Sequence, residues 1–186
     1  MKFILVLLFN ILLSDVNLEN DLELWNQMHQ KFTIDLARDF SNRDVDAWLN
    51  YFAPNTKINI YQYGDDVSGN TGKGKTIKVY SGNFFSSMIR GRFPASLMAK
   101  TVFKKLSKQD YKKSNIQLLG ILKDKGNIKV YVRFERINEL EEVYQTARSV
   151  YTLIRIGEDW FINAISTYDD SESINERVNY NQMYKK

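Results

Sequence analysis

One stretch of the sequence has the spacing of a phosphate-binding loop. From Gly69 to Thr76 it reads Gly-Asn-Thr-Gly-Lys-Gly-Lys-Thr, which satisfies the pattern G-x-x-x-x-G-K-[ST]. Such a loop leaves a buried strand and enters a helix whose N-terminal amides hold the phosphate. Here Asp65 and Asp66 precede the motif and would repel phosphate, while residues 76–80 prefer a strand. We therefore predict a flexible loop between two strands, with nucleotide binding as a remote alternative.

His29 is the single histidine of the chain and lies beside the apolar face of a predicted helix. Its neutral imidazole could act as a general base or donate a hydrogen bond into a pocket. No acidic partner is identifiable, which favours an ordinary solvent-bonded histidine; His29 is the leading catalytic candidate if the protein is an enzyme. With one histidine and no cysteine, the chain lacks ordinary zinc ligands, and we predict no metal and no cofactor.

Polar residues alternate with apolar ones in a hairpin predicted near the end of the chain, with a type II′ turn at Gly157-Glu158. Its predicted pairs are Arg148–Thr167, Val150–Ile165, Thr152–Asn163 and Ile154–Phe161. If the polar pairs point inward, they form the polar groups of a small-molecule site; if outward, they are ordinary surface. Apolar helix residues would line the same site or simply fill the core. The predicted pocket residues are Trp25, His29, Phe85, Met88, Arg148, Thr152, Asn163 and Thr167.

A predicted antiparallel meander from Asn115 to Tyr168 must position these residues. Its first turn, Asp124-Lys125-Gly126, predicts a three-residue hairpin loop with a bulge, in which Gly126 has a positive φ. A slip of one residue would bury the polar face, so the turn and the alternation support each other. The predicted pairs are Lys123–Asn127 and, along an apolar face, Leu122–Ile128, Gly120–Val130, Leu118–Val132 and Ile116–Phe134.

The opposite face of this hairpin is only half apolar. Leu119, Ile121, Tyr131 and Arg133 alternate with the predicted core residues and therefore share the outer side of the sheet. Because apolar side chains clustered on an exposed face often mark an interaction surface, we predict that the chain forms a homodimer through this outer face.

Periodicity predicts the elements that precede the meander. Apolar residues three and four apart predict an amphipathic helix from Asp21 to Phe40, and Asp44 is a good N-cap for a short second helix. The other predicted elements are strands at residues 56–63 and 76–80, a helix that opens at residues 81–82 and closes at residues 91–94, and a strand from Met98 to Leu106.

The composition is that of one globular domain. Of 186 residues, 44% are hydrophobic and 13% aromatic, which is enough to form a substantial core. We predict a single domain over residues 20–170 and a polar tail over residues 171–186. The formal charge of +4 arises from 26 basic and 22 acidic residues that are interspersed, so we predict no nucleic acid partner.

Residues 1–14 have the length and charge of a signal peptide. Lys2 precedes apolar residues at positions 3–9 and 11–13, a run too short to span a bilayer comfortably. Asn10 interrupts the run and Leu12 is a poor residue before a cut after Ser14, so the cleavage point stays open. We predict a secreted, extracellular protein without membrane association after signal removal; the alternative is an apolar N-terminal helix that stays attached.

Two segments resemble the nuclear transport factor 2-like (SnoaL-like) superfamily. Residues 40–54, Phe-Ser-Asn-Arg-Asp-Val-Asp-Ala-Trp-Leu-Asn-Tyr-Phe-Ala-Pro, resemble its second helix. Residues 157–162, Gly-Glu-Asp-Trp-Phe-Ile, resemble its last hairpin, where a glycine turn precedes a tryptophan strand. The likeness covers residues 20–170 and implies an α+β, cone-shaped fold: a strongly bent antiparallel sheet wrapped around three N-terminal helices, with a pocket between them and often a dimer through the outer face.

The superfamily includes isomerases, cyclases, dehydratases, transport adaptors and non-catalytic domains, so the resemblance leaves the function open. Its enzymes tend to place an Asp, Tyr or His on the pocket side. The apolar face predicted above holds no ionisable group, and Glu135 lies on the other face, which disfavours acid–base catalysis. We predict a secreted, non-catalytic domain that binds an apolar small ligand or a protein partner. The alternative is a SnoaL- or ketosteroid-isomerase-like isomerase or dehydratase that uses the cone pocket.

Overall fold

The computed structural model describes residues 21–63, 75–89 and 91–169. The predicted signal peptide (residues 1–14) and polar tail (residues 171–186) lie outside these residues, as does most of the phosphate-loop pattern. The last two residues of that pattern, Lys75 and Thr76, belong to a strand and not to a helix. The strand predicted after the glycine-rich stretch is therefore confirmed.

The first helix, α1, is continuous over residues 21–41, with a π-helical centre at His29–Leu36 and an α-helical end at Ala37–Ser41. Its buried row consists of Met28, Phe32 and Leu36, which are four residues apart. The amphipathic helix predicted from Asp21 to Phe40 is confirmed.

Helix α2, Val45–Leu49, begins at the predicted cap. The Asp44 side chain accepts a hydrogen bond from the Ala47 N–H at 2.9 Å, satisfying one of the backbone donors that a helix start leaves free. Trp48 is buried against Phe52, with ring centroids 4.6 Å apart. This short helix thereby supplies aromatic side chains to the centre of the molecule.

Within the described residues, six strands form one curved, unclosed sheet in the order β2-β1-β6-β5-β4-β3. Strand β1 is parallel to β6, and the other neighbours are antiparallel. The strands are β1 Lys57–Tyr63, β2 Lys75–Tyr80, β3 Tyr111–Asp124, β4 Asn127–Asn138, β5 Val143–Ile156 and β6 Asp159–Asp169. Helices α3, Phe84–Ile89, and α4, Ala95–Ser107, lie between β2 and β3 in the chain. The three predicted helices correspond to α1, α2 and α3, and the described residues contain α4 in addition.

The strand predicted from Met98 to Leu106 is wrong, because this segment belongs to α4. The helix starts after Pro94, and its buried residues Ala95, Ala99, Phe103 and Leu106 recur every three or four positions. That is the period of a helix that packs one side on a core. Ala, Leu, Lys and Met favour helix, and they outnumber the β-branched residues of this segment.

The first hairpin has a two-residue turn instead of the predicted three-residue loop. Lys125 and Gly126 both have positive φ, 48° and 86°, as a type I′ turn requires. A bulge at Leu119 then shifts the register, and the predicted pairs Leu118–Val132 and Ile116–Phe134 form. The predicted pairs Lys123–Asn127, Leu122–Ile128 and Gly120–Val130 are wrong, since the turn side of the bulge pairs Asp124–Asn127, Lys123–Ile128, Ile121–Val130 and Gly120–Tyr131.

The second hairpin also contains a register shift. Gly157 has φ 65°, as the first central residue of a type II′ turn needs, and the predicted pair Ile154–Phe161 is confirmed. Beyond it the ladder shifts at Asn163, so the predicted pairs Thr152–Asn163, Val150–Ile165 and Arg148–Thr167 are wrong. The observed pairs are Thr152–Ala164, Tyr151–Ile165 and Ser149–Thr167.

Helices and sheet share one hydrophobic core. The buried row of α1 and the buried residues of α4 pack with the inner residues of the sheet, among them Ile58, Val130 and Ile162. In the described part of the chain, no helix is both long enough and apolar enough to cross a membrane. Between α1, α2, α4 and the sheet, a cavity remains beside this core.

Candidate functional site

A cavity of about 200 Å³ lies between the helices and the inner face of the sheet. An engineered apolar cavity of roughly 150 Å³ is enough to bind benzene. The cavity of this protein therefore has room for a ligand about the size of one aromatic ring.

The wall on the helix side is apolar. Helix α1 contributes Leu36 and Phe40, α2 contributes Trp48, and α4 contributes Met98 and Val102. The sheet adds further apolar side chains, Ile60, Ile77, Ile116, Phe134 and Ile165. A ligand inside would have most of its surface against apolar groups, as small-molecule sites commonly do.

Among the described lining residues, the polar side chains other than the Trp48 indole come from the sheet. They are Ser114 on β3, Arg136 on β4, Ser149 and Tyr151 on β5, and Thr167 on β6. Ser114 pairs with Arg136 in the β3–β4 ladder, and Ser149 pairs with Thr167 in the β5–β6 ladder. Neighbouring strands thus bring together polar groups that are far apart in the sequence.

The hydroxyl groups are largely satisfied by one another. The Ser149 Oγ and Thr167 Oγ1 share a hydrogen bond of 2.9 Å, and the Ser114 Oγ shares one of 2.9 Å with the buried Tyr111 hydroxyl. Because these bonds occupy part of their hydrogen-bonding capacity, Ser114, Ser149 and Thr167 fix the shape of the wall without leaving strongly unsatisfied groups.

Arg136 is held by two neighbours. Its Nη1 donates to the Gln145 Oε1 at 2.7 Å, and its guanidinium lies 5.4 Å from the centroid of the Phe134 ring. Its Nε is buried and has no hydrogen-bond partner among the described residues. Burial lowers the pKa of Arg136, yet a guanidinium keeps its charge in proteins.

Tyr151 packs its ring on Phe32, with centroids 4.9 Å apart. Burial raises the pKa of its hydroxyl to about 12, which outweighs the opposite effect of Arg136 and of the hydrogen bond with Ser149. The phenol is therefore neutral at physiological pH. It can donate a hydrogen bond to a ligand but is a poor candidate for a base.

Within residues 21–63, 75–89 and 91–169, no Asp, Glu or His lines the cavity. Nor do three or more His, Cys, Asp or Glu side chains of these residues come together as metal ligands would. The lining can bind and orient a molecule through Arg136 and Tyr151, but it offers no carboxylate or imidazole for proton abstraction.

The sequence interpretation missed Arg136 and Tyr151, and its statement that the inner face holds no ionisable group is corrected. Val130, Val132 and Phe134 alternate inward along β4, so one further step of that alternation reaches Arg136. Tyr151 was within reach in the same way, because it alternates inward with the buried Leu153 and Ser149 of β5.

Of the four polar strand residues predicted for a pocket, only Thr167 lines the cavity. Arg148 and Thr152 alternate with the inward-facing Ser149 and Tyr151, so they belong to the other face of β5. Asn163 lies at the register shift and does not line the cavity. The predicted set is therefore divided between the two faces of the sheet.

The predicted helix residues of the pocket lie at the surface. Trp25, Phe85 and Met88 are 38%, 78% and 59% exposed, and His29 is also exposed. On α1 the inward row is Met28, Phe32 and Leu36, while the one buried residue of α3 is Ser87. None of these four residues meets Thr167 at the cavity.

The residues predicted for the outer face are also separated. Tyr131 and Arg133 alternate with the buried Val130 and Val132 and so face outward, and Arg133 forms an ion pair of 3.0 Å with Glu135. Leu119 is the bulged residue, and Ile121 packs against the core because it pairs with Val130. Ile121 therefore does not belong to the outer face. The homodimer stays a prediction.

Comparison of the sequence with protein-family models and with curated proteins finds no match. Similar solved structures include a domain of unknown function with a cystatin-like fold from Nostoc punctiforme, at 9% identity, 89% coverage of this chain, 88% of that chain and TM-score 0.55. A function-unknown protein from Mycobacterium tuberculosis is similar at 10% identity, and the match covers 86% of this chain and 80% of that chain at a TM-score of 0.51.

A nuclear transport factor 2-like protein of unknown function from Shewanella oneidensis is also similar, at 12% identity, 73% coverage of this chain, 91% of that chain and TM-score 0.49. Likenesses at this identity concern the fold alone. The Nostoc and Mycobacterium structures support an α+β fold with a curved, unclosed sheet, and a protein described as nuclear transport factor 2-like is among the similar structures.

Proposed function

We propose that this protein is a non-catalytic domain that binds an apolar small molecule in the cavity between its helices and its sheet. One observation carries the proposal: a cavity of about 200 Å³ has an apolar wall on one side and polar side chains on the other. That combination favours burial of an apolar body together with a fixed orientation of its polar group. In the finer arrangement that the resemblance implies, the curved sheet forms a cone and the cavity is its interior.

An isomerase or dehydratase remains the second candidate, because Arg136 and Tyr151 are donors that could stabilise a developing oxyanion. Such a reaction also requires a base within reach of the substrate, and the described lining residues provide neither a carboxylate nor an imidazole. Binding without chemistry therefore fits the lining better. Turnover of a retained molecule that Tyr151→Phe abolishes would favour the enzyme instead.

The first experiment is mass spectrometry of the protein purified under native conditions, which identifies any retained small molecule. In parallel, toluene and indole are titrated against the melting temperature, since a ligand of the folded state must raise it. Val102→Phe projects a ring from α4 into the cavity and is expected to abolish the rise.

The matched control is Leu97→Phe on the same helix, where the side chain is 41% exposed. This variant is expected to respond to the probes like the wild type, because Leu97 does not line the cavity. If no molecule is retained and neither probe changes the melting temperature of the wild type, the binding function is rejected.

We also propose that the protein is secreted and that it forms a homodimer through the outer face of the sheet. Lys2 and the apolar run that follows it support secretion. The half-buried Tyr131 and Arg133 on the outer face support the dimer. N-terminal sequencing of the exported chain tests the first proposal, and a monomer in sedimentation at high micromolar concentration would reject the second.

A further inference from the structure

Arg136 is the one cationic side chain among the described residues that line the cavity. The hydrogen bond from its Nη1 to Gln145 involves a neutral amide, and its Nε is buried without a partner in the described chain. A guanidinium has five N–H donors in a planar fork. The protein therefore leaves much of the donor capacity of this group unused.

The charge of Arg136 also lacks a counter-ion in the part of the chain that the structure describes. The groups that act on it electrostatically are the phenols of Tyr144, Tyr111 and Tyr151, which are neutral when protonated. The cross-strand neighbours, Ser114 and Gln145, are neutral as well. Arg136 is half-buried, and a charge partly removed from water is stabilised by a paired anion, so the cavity contains a positive site that an anion would complete.

The shape and chemistry of the remaining wall restrict the kind of anion. A free inorganic ion would leave the apolar side chains Phe40, Trp48 and Met98 facing empty space, whereas a ring or a short branched chain would cover them. A carboxylate matches the guanidinium fork with two parallel hydrogen bonds. The Tyr151 hydroxyl, neutral at physiological pH because burial raises its pKa to about 12, can donate to the same oxygens.

We propose that the cavity binds a small aromatic or short aliphatic carboxylate, with the carboxylate on the Arg136 guanidinium and the apolar body against Trp48 and Met98. This inference rests on the proposed binding function and adds the class of ligand to it. It concerns the charged end of the molecule, so it can fail while binding of an apolar molecule still holds.

The test compares two probes of one size, benzoate and benzamide, by calorimetric titration of the full chain at neutral pH. The wild type is expected to bind benzoate at least about tenfold more tightly, the factor that a charge-assisted hydrogen bond typically provides. Arg136→Gln keeps a polar side chain but removes the charge, and it is expected to remove this preference while benzamide binding persists. Arg136→Lys keeps the charge without the fork and is expected to retain part of the preference.

The control variant is Arg133→Gln, which removes the same charge from the same strand on the outward face. It is expected to preserve the preference for benzoate. Circular dichroism of each variant verifies that it is folded, and a folded Arg136→Lys keeps the test valid if Arg136→Gln does not fold.

Equal affinities of the wild type for benzoate and benzamide, both lost in Val102→Phe, would overturn the carboxylate proposal and leave apolar binding intact. An equal loss of benzoate affinity in Arg136→Gln and Arg133→Gln would also overturn it, because the effect would then come from overall charge. If neither probe binds the wild type and no molecule is retained on purification, the binding function itself is rejected together with the inference.

Discussion

The hydroxyls of Ser149 and Thr167 meet at 2.9 Å across β5 and β6, on the inner face of the sheet. They meet because the ladder shifts at Asn163, which pairs Ser149 with Thr167 and brings Thr167 to the inner face of the sheet. A regular hairpin would instead pair Arg148 with Thr167. Because Arg148 faces outward on β5, one residue of irregularity in β6 decides whether Thr167 lies in the cavity wall or on the outer face of the sheet.

The first prediction tests this pair with a double-mutant cycle. Ser149→Ala and Thr167→Val each remove one hydroxyl and leave the other without its partner, so each is expected to lower the free energy of unfolding by about 1 kcal/mol. The double variant is expected to lose less than the sum, because no unpaired hydroxyl remains. Urea unfolding of the four proteins measures the coupling. Strict additivity would show that the hydroxyls do not interact.

The local elements were predictable because their signals are periodic. Helix α1 and strand β1 follow from residues three or four apart and two apart, and the cap at Asp44 marks the start of α2. Helix α4 carries the same kind of signal, because Ala95, Ala99, Phe103 and Leu106 recur every three or four positions. This helical period contradicts the predicted strand from Met98 to Leu106.

The register shifts were not predictable in the same way. A bulged residue such as Leu119 has no partner in the strand ladder. The bulge is favoured by the packing of side chains that are distant in the sequence. A short window of sequence does not contain those side chains. The cavity also depends on distant parts of the chain, since α1, α2, α4 and all six strands contribute to its lining. The inward position of Arg136, by contrast, was predictable, because it continues the alternation of Val132 and Phe134 along β4.

The second prediction tests the bulge at Leu119. In the bulged register Ile121 lies opposite Val130 and against the core, whereas the predicted regular register would place Gly120 opposite Val130 and turn Leu122 inward, opposite Ile128. Ile121→Ala is therefore expected to lower the free energy of unfolding by about 2 kcal/mol. Leu122→Ala is the matched control and is expected to cost less than about 1 kcal/mol. Chemical denaturation ranks the two variants, and the reverse order would favour the unbulged register.

The third prediction tests the two-residue turn. Lys125 has φ 48°, a conformation that Asn adopts more readily, so Lys125→Asn is expected to stabilise the protein by about 0.5 kcal/mol. Gly126 has φ 86° and open space where a Cβ would lie, so Gly126→Ala is expected to cost about 1 kcal/mol through backbone strain alone.

Thermal denaturation measures both turn variants, with Lys123→Asn in the adjoining strand as the control. That control is expected to destabilise slightly, because Asn is unfavourable in strands. In a three-residue loop of the usual type, Lys125 would have a negative φ, and Asn there would bring no gain. A destabilising Lys125→Asn would thus contradict the type I′ turn.

The fourth prediction concerns the stability of the protein at high pH. Burial raises the pKa of Tyr151 from its ordinary value of 10.0 to about 12, so the folded state holds the phenolic proton more tightly than the unfolded state. The contribution to stability is fully present below pH 10 and is lost as the pH rises through 12. Between these values, the free energy of unfolding of the wild type should fall more steeply than that of Tyr151→Phe.

Urea unfolding at several pH values between 10 and 12 gives the two slopes, and only their difference is attributed to Tyr151. Part of the slope should remain in the variant, because burial also raises the pKa values of Tyr51 and Tyr144. Tyrosinate absorbance provides an independent control: the folded variant should lack a late ionisation step that the wild type shows. Identical slopes in both proteins would mean that the Tyr151 hydroxyl meets water as freely in the folded chain as in the unfolded one, which is incompatible with its position in the cavity wall.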